Sequence, residues 1–355
     1  MTASTPPRSW QLRVGPIGLR VRRRLVIGAL TAVLVLLGLL ALAVFTGTLA
    51  MPVDRVVAVL SGGGTRVERL VVIDNRLAPA LAALLVGFAL GCAGGLTQSI
   101  TRNPIASPDI LGVTSGAGAF AVLLITTPAV AGLVGDNPAS SLLTPAAIVG
   151  GLLTAGIILA LSWRTGFDGV RVVLVGLAVN ALALAGTAWM LTRTDLLNAQ
   201  VAVRWLSGSV NGVKIGDLWL LAGISALALF VCIRLGRDVG ALRLGRDVAA
   251  TVGTVPGRVE LVALAVAVIL TSASTAVAGP IAFVAFVAPQ IAMRLFRTAG
   301  PPPLVGGLAG AGVMMIAAQV ADRLPGTLPV GVLTPLIGAP YLLFLMRSYV
   351  RKTSG

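Results

Sequence analysis

The sequence predicts an all-α, polytopic membrane protein of about ten transmembrane helices, and three observations carry that prediction. Hydrophobic residues make up 57% of the 355-residue chain and charged residues only 11%, against about a quarter charged in an ordinary soluble domain. Charge-free apolar stretches recur along the chain, most of them close to the roughly 20 residues that cross a bilayer as helix. Lys and Arg, 27 against 12 acids, are distributed unevenly between the two ends of those stretches.

Taken in order, residues 1–24 form a basic N-terminal segment with six arginines. It is too long and arginine-rich, and the following apolar run too extended, for a cleaved signal peptide, so 25–51 reads as a retained anchor. Further spans fall at 77–101, 110–135, 137–163 and 172–192, with a shorter one at 218–233. The stretch 261–293 has no charge, but at about 1.5 Å per residue it is too long for one helix, and Gly279-Pro280 interrupts it. It therefore counts as two spans. Spans at 298–321 and 324–346 complete a transmembrane domain over 25–348, and a short tail follows at 349–355. With both termini in the cytoplasm, 19 of the 27 cations lie inside and eight outside, as the positive-inside rule requires. A single span over 261–293 would weaken the split to 15 against 12. The net charge of +15 is then a topology signal that also attracts anionic lipid, and not a nucleic-acid footprint. Cys92 and Cys232 fall in different spans and read as small core residues.

A transporter needs an energy source, and the residues restrict it. The chain has no histidine, and its 12 acids fall in loops or at span ends, so no intramembrane proton relay is visible. Sodium coupling through carbonyls at a broken helix stays open, with Gly279-Pro280 as its site. A phosphate-binding loop needs a lysine after its glycines, and neither Lys214 nor Lys352 follows a glycine. No His/Cys cluster can form a zinc site, and no histidine-based nucleophile pair can exist. ATP hydrolysis, if it drives transport, belongs to another subunit.

Several segments ask for more than packing. Gly87, Gly91, Gly94 and Gly95 precede Gln98, and the helix they suit runs into Arg102-Asn103-Pro104 and then Ser107-Pro108-Asp109. Glycines four apart let helices approach closely in lipid, and each proline disfavours helix in the residue before it. Leu-Gly-Arg-Asp-Val occurs twice, at 235–239 and 244–248, between the sixth and seventh spans. In the second copy Val248, Ala249 and Val252 would share a small apolar face, with Gly253 as a helix stop. Asn180 is a polar side chain inside a span, either interhelical glue or pathway lining. Arg55, Arg66, Arg69 and Arg76 share one long outer loop.

The run GLTQSITRNPIASPDILGVTSGA, followed by WRTGFDGVRVVLVG at 163–176, RWLSGSVNG at 204–212, GPIAFVAFVAPQIAMR at 279–294 and LPVGVLTPLIGAP at 328–340, resembles the vitamin B12/iron–siderophore permease family of ABC importers in order and spacing. The resemblance covers roughly residues 70 to 350, and the SPD and WRTGFDGVR runs are most similar to ferric-enterobactin permease subunits, a catecholate branch. Two positions depart from the family pattern. Its leucine-proline-arginine run reads Asp74-Asn75-Arg76-Leu77-Ala78-Pro79 here, and the histidine usual after V-x-P is Gln290, so a hydrogen-bonding group replaces a titrating one.

The resemblance implies the vitamin B12 permease-like fold of type II ABC importers and a location in the bacterial cytoplasmic membrane, as a non-enzymatic permease subunit. It implies a homodimer or a heterodimer with a second permease, two ATP-binding subunits that hold ATP and magnesium, and a binding protein, lipid-anchored or periplasmic, that delivers an iron–siderophore. No cofactor in this chain and no nucleic-acid partner is implied. Vitamin B12 and haem are the rival cargoes, and an ion-coupled carrier is the rival mechanism. Within that frame the loop 235–260 makes two short helices on the ATPase, with Leu244, Gly245, Asp247, Val248, Ala249, Val252 and Gly253 as the coupling residues. Arg102, Asn103 and Pro104 with Gly169, Val170 and Arg171 form the cytoplasmic gate. A constriction at Val170 would gate by dewetting. Gln98, Asn180 and Gln290 are pathway candidates, and Arg55, Arg66, Arg69 and Arg76 meet acids of the binding protein by charge complementarity.

Overall fold

A chain this apolar has to satisfy its backbone hydrogen bonds within its own segments, and helix is how one segment does so in lipid. The computed structural model describes all residues except 1–8, 15–16, 48, 110–111, 128–141, 163–168, 325, 327 and 354–355. Among the described residues, seven helices are long and apolar enough to cross a membrane, and Val113–Thr126, Val284–Phe296 and Val330–Phe344 are three shorter apolar helices. Together they account for the ten expected spans.

A short antiparallel hairpin, Ser9–Val14 (β1) paired with Ile17–Arg22 (β2), precedes the bundle, in a segment for which the sequence suggested only a basic tail. Helix α1 is Arg23–Phe45, α2 Val53–Leu60 and α3 Arg66–Arg69. A π-helical stretch, Leu70–Leu77, joins α3 without a break to α4, Ala78–Thr101. The second span therefore begins before the Asp74–Pro79 segment, which sits in and just after the π stretch. Next come α5 Val113–Thr126, α6 Leu143–Ser162, α7 Gly169–Arg193 and the short α8 Leu196–Leu206. The chain continues as α9 Ile215–Leu242, α10 Arg246–Thr251, α11 Pro256–Ala278, α12 Val284–Phe296, α13 Pro303–Arg323 and α14 Val330–Thr353.

Helix α4 is the axis of the fold and packs on α13, α11, α12 and α9. Gly87 and Gly91 on α4 face Gly306 and Gly310 on α13 so closely that a Cβ at Gly91 would lie 2.2 Å from Gly306 O, and one at Gly87 2.4 Å from Gly310 O. Small residues four apart on both helices allow this backbone contact, which packing in lipid rewards. On its other side α4 meets α12. Pro289 has no N–H to bond the carbonyl one turn back, at Ala285, and that oxygen abuts Gly94, where a Cβ would sit 1.7 Å from it. By contrast α1 and α7 are peripheral: 6% and 17% of their most apolar windows are buried, against 72% for Arg66–Thr101.

Contacts fix the two ends of the bundle. Gly28 near the start of α1 packs on Phe296 at the end of α12, and Arg243, Ser99 and Pro301 meet there too. This end, where α1 starts and α14 finishes, is called the terminal face below. At the opposite, far face Arg76 reaches the end of α1, and Gly331 packs on Ser207 and Pro280.

Candidate functional site

At the terminal face a short helix lies between two long ones, α9 and α11. The first Leu-Gly-Arg-Asp-Val copy continues α9 as far as Leu242, and only the second, after Gly245 at φ +121°, starts α10. The expected pair of short helices is thus a single one, because residues 235–242, which hold Gly236 and Gly240 but no proline, extend the helix before them. Gly253, at φ +85°, ends α10, with Gly253 N–H donating to Ala250 O at 3.1 Å and Thr254 N–H to Ala249 O at 3.0 Å.

The apolar residues of this loop divide in a way the sequence did not indicate. Ala249 is fully buried, facing the bundle, while Leu244, Val248, Val252 and Val255 are exposed at 72, 46, 55 and 64%. Ala249 therefore does not belong to the outward face expected of it, and Leu244 and Val255 extend that face. Asp247 is exposed.

Three polar ties hold α10 and its flanks to the bundle. Arg243 donates from Nη2 to Ser99 Oγ at 2.9 Å and to Pro301 O, and Ser99 Oγ donates to Pro301 O at 2.9 Å. Burial pushes the Arg243 guanidinium below its ordinary range. Thr254 Oγ1 donates to Asp238 Oδ1 at 3.0 Å. Arg246, the first residue of α10, lies 3.3 Å from Glu260. The sequence placed Glu260 at a span end, but it sits in the second turn of α11 and is 2% exposed. Ser99 and Glu260 carry no motif signal in the sequence, and Arg243 reads there as one of the arginines of a polar loop; for Glu260 the available signal is an acid bordering a long apolar run.

Beside these ties lies the turn after α4. Arg102 caps α4 in the left-handed conformation at φ 51°, Asn103 Oδ1 accepts from Ile105 N–H at 3.1 Å, and Gly112, at φ 71°, opens α5. Asp109 accepts from Thr114 Oγ1 at 2.5 Å, and burial pushes its carboxyl up to about 6. Gln98 and Gln290 do not face a pathway across the surface of this chain. They are 2 and 6% exposed and bonded to each other: Gln290 Nε2 donates to Gln98 Oε1 at 2.7 Å and to Pro104 O at 3.3 Å, while Gln98 Nε2 donates to Phe286 O at 3.0 Å. A buried amide has to find such partners or lose more than the contact is worth. Asn180 is partly exposed on α7, and its backbone backs Gly112. Arg171 is exposed near the start of α7, which Gly169 and Val170 open. The side chain of Val170 and residues 163–168 lie outside the described residues.

At the far face the four arginines separate. Arg55, Arg66 and Arg69 are exposed. Arg55 sits 3.8 Å from Glu68, and Arg69 Nε donates to Gly63 O at 2.9 Å. Arg76 is 7% exposed and donates from Nη1 to Val44 O at 3.0 Å and from Nη2 to Leu49 O, so it ties α1 to the π stretch and is not available for docking. The Gly279-Pro280 break is filled by protein. Ser209 N–H donates to Ala278 O at 2.7 Å, and Pro280 O is in backbone contact with Gly208 and Gly331.

The sequence profile of the FecCD transport family matches residues 33–348. The chain is 36% identical over 309 residues to the ferric enterobactin transport system permease protein FepG of Escherichia coli strain K12, covering 86% of this chain and 91% of that one. It is 33% identical over 323 residues to FepD of the same organism, covering 89 and 92%. It is also 36% identical to the iron(3+)-hydroxamate import permease FhuB of Salmonella typhimurium, covering 76% of this chain and 39% of that longer one. Among solved structures, a putative metal-chelate type ABC transporter in an inward-facing conformation superposes with a TM-score of 0.75 at 23% identity, covering 90 and 98%.

Proposed function

The chain belongs to the FecCD transport family, and from that premise we propose that it is the membrane permease subunit of an ATP-driven importer of iron–siderophore complexes. The observation that carries this reading is α10. A six-residue helix and its flanks expose Leu244, Val248, Val252 and Val255, while Ala249 is buried toward the bundle. An exposed apolar cluster rimmed by charge is a surface built for a protein partner. Since the sequence has no phosphate-binding loop, the partner proposed is a separate ATPase that holds ATP and magnesium. The terminal face is then cytoplasmic, as the arginine count requires.

The cargo is proposed to be a ferric siderophore, because enterobactin and hydroxamate permeases are both among the similar proteins. Within that class we favour a catecholate complex. A second permease copy, identical or similar, completes the pathway, and α7, with few buried positions, is the helix free to line it. A binding protein docks on the far face through Arg55, Arg66 and Arg69. At the Gly279-Pro280 break Ala278 O accepts from Ser209 N–H and Pro280 O is packed against Gly208 and Gly331, which argues against an ion site there.

The test is reconstitution. The purified chain, with its co-purifying permease and ATPase subunits, is placed in vesicles with the binding protein and offered ferric enterobactin or a ferric hydroxamate. Accumulation that requires ATP supports the proposal. Accumulation by this chain alone, driven by a proton or sodium gradient, overturns it.

A further inference from the structure

Glu260 joins two segments that the sequence keeps apart. Its carboxylate lies inside α11, with its side chain only 3% exposed, and Arg246 Nη2 at the head of α10 is 3.3 Å away. Arg102, the left-handed residue that closes α4, reaches toward the start of the same short helix. Its Nη1 passes 4.0 Å from where a Cβ on Gly245 would stand, just before α10. The buried carboxylate thus pairs with a cation of the short helix, and a second cation, from the turn that ends α4, lies near the residue before that helix.

Apolar contacts can slide past one another with little change in energy, but an ion pair with a buried member cannot. When the two separate, the Glu260 carboxylate loses the compensation for its desolvation, while Arg246, 42% exposed, stays partly hydrated. Glu260 Oε2 is within ion-pair distance of Arg246, so withdrawal of α10 from α11 separates the charges and is opposed. We propose that Glu260 is a positioning residue: it converts displacement of α10 into displacement of α11, and so carries the mechanical signal from the ATPase into the membrane helices. This inference rests on the permease reading above and names the residue through which that site works.

The test uses the full complex with its ATPase and two separate nitroxide labels, one on exposed Ala250 in α10 and one on Ile269, which is 41% exposed in α11. Trapping with ATP and vanadate is expected to change both spectra in the unaltered complex. In Glu260→Gln the Ala250 response is expected to persist while the Ile269 response falls by more than half. Arg246→Gln is expected to give the same result, and Glu260→Asp to restore the response at Ile269. The Arg246 variant alters a residue whose side chain is 42% exposed, so it keeps the test available if Glu260→Gln fails to assemble. An undiminished Ile269 response in both charge-removing variants overturns the proposal, and so does a parallel loss at both labels, which would mark a purely structural role. Absence of any ATP-dependent change at Ala250 in the unaltered complex overturns the permease reading itself, and this inference with it.

Discussion

Gln290 and Gln98, 192 residues apart in the chain, are joined by a buried hydrogen bond of 2.7 Å. The bond ties the half-helix α12 to the last turn of α4, and through Pro104 O to the turn beyond it. The next residue of α4, Ser99, faces the other way and bonds Arg243 beside α10. The last turn of α4 therefore touches both the loop that would meet an ATPase and the helix broken at Gly279-Pro280.

Gln290→Leu leaves Gln98 Oε1 and Pro104 O without this donor, at a cost of about 1–3 kcal/mol. Gln290→His keeps a donor. The leucine variant is expected to lower the melting temperature in detergent and to lose most transport, and the histidine variant to retain both. Equal behaviour of the two would refute the tie.

Gly94→Ala drives a Cβ onto Ala285 O, a backbone atom that cannot rotate away. The expected loss is at least about 3 kcal/mol, at the upper end of overpacking costs, seen as failure to recover monodisperse protein. Gly223→Ala on α9, where a Cβ meets nothing within 4 Å, is the matched control. It is expected to be neutral or stabilising by up to about 1 kcal/mol.

Val248→Asp and Val252→Asp place a charge on the exposed face of α10 and are expected to weaken co-purification of the ATPase at least about tenfold, a loss of about 1.4 kcal/mol or more, with the chain's own melting temperature unchanged. Ala249→Leu, directed into the bundle, should do the reverse and destabilise the chain. Pull-down yield and thermal unfolding, measured on the same preparations, separate the two outcomes.

Arg76→Ala is expected to cost about 2–3 kcal/mol, because it deprives Val44 O and Leu49 O of a charged donor. Arg55→Glu combined with Arg66→Glu should leave stability alone and slow binding-protein association, strongly at low ionic strength and weakly at high. Stopped-flow association at two salt concentrations checks this. An effect independent of salt would remove the arginines from the docking surface.

Asp109 gives a pH signature. Its carboxyl is raised from 3.8 to about 6 in the fold, so between those values the native state holds more protons than the unfolded one. Stability then falls as pH rises through that window and stays lower above it. Asp109→Asn keeps an oxygen for Thr114 and removes the charge. It is expected to be more stable than the unaltered chain at neutral pH, by about 1–2 kcal/mol once residual solvent contact is allowed for, and to match it near the low end of the window. Melting curves across the range would show no convergence if the carboxyl is not the cause.

Composition and the spacing of charge determined the membrane class, the ten spans and the break at Gly279-Pro280, because hydropathy and helix length are local properties that each segment carries by itself. The sequence also indicated a loop between the sixth and seventh spans, which the structure narrows to 243–255, and the turn at Arg102-Asn103-Pro104. Only the tertiary structure decided which polar residues turn inward. Arg76, Gln98 and Gln290 looked available for docking or lining, yet each is buried against partners 27 to 192 residues away. Ala249 turned inward while Leu244 turned out, and Glu260 turned into α11 toward Arg246. A side chain's exposure depends on which helices pack beside it, and packing here is set by backbone contacts such as Gly91 on Gly306 and Gly94 on Ala285, which join residues far apart in sequence.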